Sequence, residues 1–340
     1  MVELSIPMAV AVAFGLACAG TRVLVGVLTR RAVLDRPNER SSHAVPVPRG
    51  GGIAVVAALA VAWLCLALVD APADLLPWLV PLAAASALAA VSFADDLRGL
   101  GAGLRLAVQA LAVAAGLWAL DGRGALAAVA PAWIDLPLTA LGWVWFLNLY
   151  NFMDGIDGIT GTETVSIGVG LAALAFAGLA PPAIAGPALV LAAAAAGFLV
   201  WNWHPARIFL GDVGSVPLGY LLGLLLVILA GSGPVGLAAA LLLPLVYLVD
   251  ATVTLARRVL RGESPARAHR EHVYQRAVIA GASHASVSLR IAAANACLLS
   301  LALFMAPLAP LAALAIGGGV VAALFLALRP APVPSTPGRA

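Results

Sequence analysis

Lysine is absent from this chain; all 19 basic residues are arginine. Charged residues make up only 10% of the 340 positions, where a soluble domain carries about 25%. That scarcity excludes a soluble globular fold. Three cysteines are present, Cys18, Cys65 and Cys297, each inside an apolar run. They read as small apolar residues, which excludes a disulfide framework and a thiolate metal site. There is no Walker loop, no Gly-x-Ser-x-Gly and no dinucleotide fingerprint after a strand. With a net charge of only +3, no nucleic-acid partner is expected.

What is present is hydrocarbon. Hydrophobic residues make up 63% and the mean hydropathy is +1.04. The runs do not alternate apolar and polar, as barrel strands would. In lipid each backbone polar group must be satisfied within its own segment, so the spans are expected to be helices. Taking roughly 20 apolar residues per span, eleven are expected: 5–28, 51–69, 77–94, 104–120, 136–151, 162–180, 184–203, 215–231, 235–256, 288–306 and 311–328. The first reads as a retained span rather than a cleaved leader. Pro217 and Pro244 are candidate kinks. The predicted fold is an all-α polytopic transmembrane bundle, one domain over 1–328, with a disordered cytosolic tail at 329–340.

Arginine sets the orientation. With the N-terminus outside, 17 of the 19 arginines fall in cytosolic loops or the tail. Arg123 is then the single outer-loop arginine, and Arg22 lies inside the first span. Every unusual polar cluster then falls on the cytosolic side.

The densest cluster is Asn148-Leu149-Tyr150-Asn151-Phe152-Met153-Asp154-Gly155-Ile156-Asp157-Gly158. Asp154 and Asp157 share a face if helical; if looped, the glycines permit a tight turn. Asn148 and Asn151 repeat the spacing one turn earlier, where amides at membrane depth need partners. Asp95-Asp96 ends the third span; adjacent like charges call for a cation or a base. A solvated helix end with Arg98 as counter-charge is the plainer account. Arg49 precedes Gly50-Gly51-Gly52, and arginine forks onto phosphate oxygens. Those glycines either let a ligand approach backbone N–H groups or make a hinge. In the fourth cytosolic loop, Asp212 is either a third carboxylate for a divalent ion or a helix cap. Phe209 there could stack on a base, Asn202 accompanies it, and His204 reads as a boundary residue. Asp250 is an acid at membrane depth, a functional candidate or an arginine partner. His269 and His272 stand one turn apart, with Arg270 between them. That arginine-rich stretch suits a diphosphate or an anionic lipid surface. A carboxylate-rich, thiolate-free set favours a hard oxygen-seeking ion over zinc.

Together these motifs resemble the polyprenyl-phosphate N-acetylhexosamine-1-phosphate transferases. The matching stretches are Asp-x-Pro-Asn-x-Arg-x-x-His with Pro-Arg-Gly-Gly-Gly, Asp-Asp-Leu-Arg, Asn-x-x-Asn-x-x-Asp-Gly-Ile-Asp-Gly, Phe-Leu-Gly-Asp-Val-Gly-Ser and His-x-x-His, in order over residues 30–276. Arg40-Ser41-Ser42-His43 and Ala268-His269-Arg270-Glu271-His272-Val273-Tyr274-Gln275 look like the O-antigen-initiating branch. The enterobacterial-type tight His cluster is not matched.

The resemblance implies a reaction. A UDP-N-acetylhexosamine and undecaprenyl phosphate give undecaprenyl-diphospho-N-acetylhexosamine and UMP, at the bacterial cytoplasmic membrane. It implies Mg²⁺, with Mn²⁺ as a substitute. Asp212 is the first expected metal ligand; Asp95 and Asp96 are candidates for metal binding or for deprotonating the acceptor phosphate, and Asp154 is a further metal candidate. Asn151, Asp154, Asp157 and Phe209 would line the uridine and metal pocket, with Asn148 and Asn202 as further substrate-binding candidates. His269, Arg270 and His272 would hold diphosphate or sugar, the two histidines counting also as catalytic candidates, and Arg49 is a further substrate-binding candidate. A homodimer is left open. Two rivals remain: the phospho-MurNAc-pentapeptide translocase of peptidoglycan synthesis, and, from another class, a transporter with intramembrane acids.

Overall fold

A computed structural model describes residues 2–35, 45–70, 75–264 and 269–329. The stretch from Arg36 to His43, and the tail from residue 330 on, lie outside the described residues. The chain is a bundle of thirteen α-helices among the described residues: α1 (Val2–Arg30), α2 (Gly52–Asp70), α3 (Leu76–Arg98), α4 (Ala102–Ala119), α5 (Ala132–Phe152), α6 (Ile159–Phe176), α7 (Ala185–Asn202), α8 (Asp212–Gly231), α9 (Pro234–Leu242), α10 (Leu245–Leu260), α11 (Val273–Ile279), α12 (His284–Ser300) and α13 (Pro310–Ala327). A π-helical turn, Leu301–Met305, extends α12.

Among the described residues, ten helices are long and apolar enough to cross a membrane. The ninth expected span, 235–256, is broken: α9 and α10 meet at a 70° bend. Pro244, at that break, has no N–H to give the helix ladder. Pro217 lies within the unbroken α8. Prolines also open α3, α9 and α13, where a missing N–H costs nothing. Among the described residues, strand pairing is confined to a two-residue antiparallel pair, β1 (Leu34–Asp35) on β2 (Val47–Pro48), with Leu34 opposite Pro48, and an isolated parallel bridge between Arg49 and Phe209.

The core is built around α8. Nearly every residue from Val213 to Ala230 is buried, glycines included. α3 and α5 flank it, and α1, α2, α6 and α7 pack together on another side. Trp143 of α5 stacks on Tyr220 of α8 with ring centroids 5.1 Å apart, and its indole N–H donates to the Tyr220 carbonyl at 3.0 Å. Lipid chains are as apolar as leucine, so such helices associate through close packing and internal hydrogen bonds rather than by escaping water.

Two span ends differ from the hydropathy boundaries in a way that matters. α3 runs on to Arg98, so Asp95 and Asp96 sit in its last turn, which closes at Gly99 (φ 65°). α8 starts at Asp212, so that acid occupies the first turn, where the helix dipole favours a negative charge.

Candidate active site

One end of the bundle gathers the ends of α3 and α5 and the starts of α2, α6 and α8. There Arg49, just after β2, reaches two carboxylates. Its Nη2 donates to Asp212 Oδ1 at 2.8 Å and stands 3.3 Å from Asp96 Oδ1. Burial works against the Arg49 charge, but Asp212 and Asp96 outweigh it and hold the guanidinium above its ordinary value. Asn151 Nδ2 donates to the other Asp212 oxygen at 3.4 Å, and Ser215 Oγ donates to Asn151 Oδ1 at 2.5 Å.

The backbone beneath explains how Arg49 gets there. Phe209 N–H donates to the Pro48 carbonyl at 2.8 Å; Gly50 and Gly51 N–H donate back to the Phe209 carbonyl at 3.1 and 2.9 Å, and Gly52 N–H to the Leu210 carbonyl at 2.9 Å. The glycines of this stretch therefore do not present free N–H groups to a ligand, which corrects one of the two expectations for them. They are used for approach instead. A Cβ on Gly52 would lie 2.3 Å from both the Cα and the N of Gly214. The starts of α2 and α8 touch backbone to backbone.

Asp95 and Asp96 are split between two arginines. Asp95 Oδ2 accepts from Arg105 Nη1 at 2.9 Å, and its Oδ1 accepts the Leu100 N–H at 2.6 Å. One turn deeper, Asn148 and Gln109 exchange amide hydrogen bonds at 2.8 and 3.3 Å, the partnering that amides at this depth require. A cavity of about 600 Å³ opens beside these groups. Asp95, Arg105, Asp212, His269 and His272 line its polar part. Leu88, Leu141, Val144, Trp145 and Leu255 line its apolar wall.

The histidine pair arrives from the loop after α10. The rings of His269 and His272 lie 5.0 Å apart. Burial, then His272 and Arg258, push His269 down to about 4, so it is a neutral imidazole at pH 7. Asp250, the deep acid of α10, pairs with no arginine among the described residues. Its carboxylate accepts the Val273 N–H at 3.0 Å and lies 3.3 Å from His272 Nδ1. Glu271 bonds both Arg258 and Arg261, which holds the loop against the end of α10. Arg270 lies between the two histidines in sequence but outside the cavity lining.

Asp154 and Asp157 sit in a loop, Met153 to Gly158, and not on a helix face. Asp154 belongs electrostatically to the Arg49 cluster. Burial raises it, Asp212 adds to that, and the Thr160 hydroxyl and Arg49 oppose, for a net value of about 6. Asp157 belongs to a separate knot. Its Oδ2 accepts from His204 Nδ1 at 2.6 Å and from the Ala206 N–H at 3.2 Å, and lies 3.2 Å from His284 Nδ1. Burial would raise Asp157, but the neighbouring imidazoles of His284 and His204 outweigh it and hold the carboxyl below its usual range. Asn202 ties the same region: its Oδ1 accepts the Gly158 N–H at 3.0 Å and its Nδ2 donates to the Ile208 carbonyl at 2.9 Å.

Two oxygen-rich or mixed groups could hold a cation. Asp96, Asp212 and Asn151 offer hard oxygen atoms around the Arg49 guanidinium, a set suited to Mg²⁺. Asp157, His204 and His284 offer three ligand atoms within 4.8 Å of one another. The 2.6 Å contact between Asp157 and His204 is that of a hydrogen bond; two ligands on zinc stand about 3.3 Å apart. The oxygen set is the better fit. His284 was not legible as part of any site: a lone histidine at the head of an apolar run carries no local signal.

The segment 78–230 matches the family model described as glycosyl transferase family 4. A Mycobacterium leprae protein named decaprenyl-phosphate N-acetylglucosaminephosphotransferase is 31% identical over 311 residues, covering 79% of this chain and 76% of that one. The chain belongs to glycosyl transferase family 4. Two further relatives of this family-4 chain align less completely. A Streptomyces coelicolor protein named as a glycosyltransferase is 37% identical over 279 residues, 75% of this chain and 60% of its own length. A Bacillus subtilis protein named as an undecaprenyl-phosphate N-acetylglucosaminyl 1-phosphate transferase is 33% identical over 158 residues, 45% and 43% of the two lengths. The chain thus spans about half the length of these two relatives.

Proposed function

We propose that this family-4 chain transfers N-acetylhexosamine-1-phosphate from a UDP-sugar to undecaprenyl phosphate. UMP leaves, and the product starts a lipid-linked surface glycan of O-antigen type. The observation that carries this reading is the cavity, with its charged rim of Asp95, Arg105 and Asp212 above an apolar wall of Leu88, Val144, Trp145 and Leu255. An amphiphile with a phosphate head and a prenyl tail matches both surfaces. The arginine-rich loops support placing this rim at the cytosolic face of the bacterial inner membrane, where UDP-sugars are found.

The chemistry is an attack by a lipid phosphate oxygen on the β-phosphorus of the donor. Such transfers need positioning and charge neutralisation more than covalent help. Asp212, Asp96, Asp95 and Asp154 are the proposed Mg²⁺ ligands or acid–base groups. Mg²⁺, when bound, supplies charge neutralisation at the diphosphate. Arg49 and Arg105 add fixed positive charge at the same rim. His269, Arg270 and His272 are proposed for the diphosphate or sugar; Asn148, Asn151 and Phe209 for the acceptor head and the uridine. Asp157 and Asn202 have their side chains engaged within the protein, so their proposed part is to hold the loop backbone that meets the nucleotide.

A donor panel tests this. Purified protein with Mg²⁺ and undecaprenyl phosphate is expected to release UMP from a UDP-N-acetylhexosamine such as UDP-GlcNAc. Release only from UDP-MurNAc-pentapeptide would move the chain to the peptidoglycan translocases. Release from none of the donors would end the proposal.

Asp154 sets an expected pH dependence. With its value near 6, it is protonated at pH 5 and ionised at pH 7. UMP release is therefore expected to climb across that interval, and Asp154→Asn to remove the climb along with most of the rate. A pH–rate profile of both proteins decides it. The sign for stability is opposite. The folded value lies above the ordinary 3.8, so the contribution of this carboxyl to folding is present at low pH. It is lost as pH rises through about 6.

A further inference from the structure

The structure assigns to α12 a task beyond filling a membrane span: we infer that its buried polar stripe, His284, Ser288 and Asn295, positions the Asp154 loop against the Arg49 cluster. α12 lies outside the segment matched by the family model, and its sequence reads as one more apolar run. Yet one face of it is polar where it meets α6. His284, Ser288, Ile291 and Asn295 follow the i, i+4, i+7, i+11 spacing of a single helical stripe. All four are buried, with 6%, 0%, 1% and 4% exposure.

Each polar member grips the loop or the helix that follows it. His284 Nδ1 accepts the Asp157 N–H at 3.2 Å. Ser288 Oγ donates to the Asp157 carbonyl at 3.2 Å. Asn295 Nδ2 donates to Glu163 Oε2, just over one turn into α6, at 2.6 Å. α12 thus holds both backbone groups of one residue, Asp157. His204 and the Ala206 N–H hold its carboxylate from the other side, and Asn202 fixes the next peptide. A buried, hydrogen-bonded polar stripe is an expensive way to make a span adhere, because apolar residues of the same shape carry no desolvation cost. What it provides is a single permitted position for the peptide at Asp157. Three residues earlier on the same short loop is Asp154, the carboxyl that interacts with Asp212 and Arg49.

His284, Ser288 and Asn295 are thus positioning residues, acting through the loop. The kinetic part of this inference rests on the proposed transferase reading; the structural part does not. The test compares His284→Leu, which removes the acceptor, with His284→Asn, which keeps an acceptor oxygen near the place of Nδ1, and with Ser288→Ala. Hydrogen exchange of the purified full-length protein is read at residues 153–160 and, for reference, across α5 and α8. In His284→Leu, loop exchange is expected to quicken by at least about tenfold while α5 and α8 are unchanged. Ser288→Ala is expected to act in the same direction, and His284→Asn to restore the wild-type rate. With activity in hand, the KM for the UDP-sugar and the Mg²⁺ requirement are expected to rise by about tenfold in His284→Leu, at unchanged KM for undecaprenyl phosphate. Loop exchange unchanged in both His284→Leu and Ser288→Ala, exchange raised equally in α5 and α8, or no rescue by His284→Asn would each overturn the inference. If wild-type protein releases no UMP, the proposed reaction fails while the exchange measurement still decides the role of α12.

Discussion

Asp212→Asn is expected to lower UMP release by about a hundredfold to a thousandfold, the scale set by removing one preorganised charge contact from a phosphoryl- or acyl-transfer site. The substitution keeps the size of the side chain and removes its charge. Arg49 then loses its nearer carboxylate, at 2.8 Å, and keeps Asp96 at 3.3 Å. Asn151 loses the anion its amide points to. An oxygen-seeking cation loses the ligand at the start of α8. Stability should change little, because Asp212 is about a quarter exposed and partly exposed ion pairs contribute at most about 1 kcal/mol. The measurement is UMP release beside thermal unfolding of the same detergent-purified protein. Arg49→Ala and the double variant complete a cycle: if the pair acts as a unit, the double variant is scarcely worse than either single one. Asp212→Asn retaining more than about a tenth of the wild-type rate would remove Asp212 from the proposed chemistry.

Gly52→Ala is the second large effect, and it is expected in stability as well as rate. The added Cβ would meet Gly214 Cα and N at 2.3 Å and the Val213 carbonyl carbon at 2.9 Å. All three are backbone atoms, which cannot rotate away. The starts of α2 and α8 must separate, which strains the Gly52 N–H bond to Leu210 and carries Arg49 away from Asp212. Overpacking of this kind costs about 1–3 kcal/mol or more, and here it falls on the residues that assemble the cluster. Thermal unfolding in detergent should drop by several degrees, and UMP release should fall further than the lost stability explains. Gly142→Ala is the control: nothing lies within 4 Å of its added Cβ, and a helix gains about 0.5–1 kcal/mol when alanine replaces glycine. Equal behaviour of the two variants would show that the contact of α2 with α8 does not set the geometry of the site.

Most of the fold was legible because membrane helices declare themselves locally. A run of about 20 apolar residues closes its own hydrogen bonds wherever it sits, so ten spans and a bent eleventh could be placed by reading along the chain. The misjudged edges were the polar ones. Asp95, Asp96 and Asp212 lower the hydropathy of a span end but still fit within a helical turn. Of the candidate residues, the loop from Asn148 to Gly158 stood out by its density of carboxylates and amides. Its internal division did not. Asp154 and Asp157 are three residues apart, yet one answers to Asp212 and Arg49 and the other to His204 and His284. The glycines that permit the turn say that it can be made, not which way each carboxyl points.

The sequence by itself determined that this is a multi-pass helical membrane protein with its densest polar clusters in interhelical loops and at helix ends. Hydropathy is a property of neighbours along the chain, and solvent and lipid read it there. Only the tertiary structure decided the pairings: Arg49 with Asp212 across 163 positions, His284 with Asp157 across 127, and Gly52 against Gly214. These depend on which helices pack side by side and at what distance, and that is set by the fit of small residues between helices, which no single stretch of the chain contains.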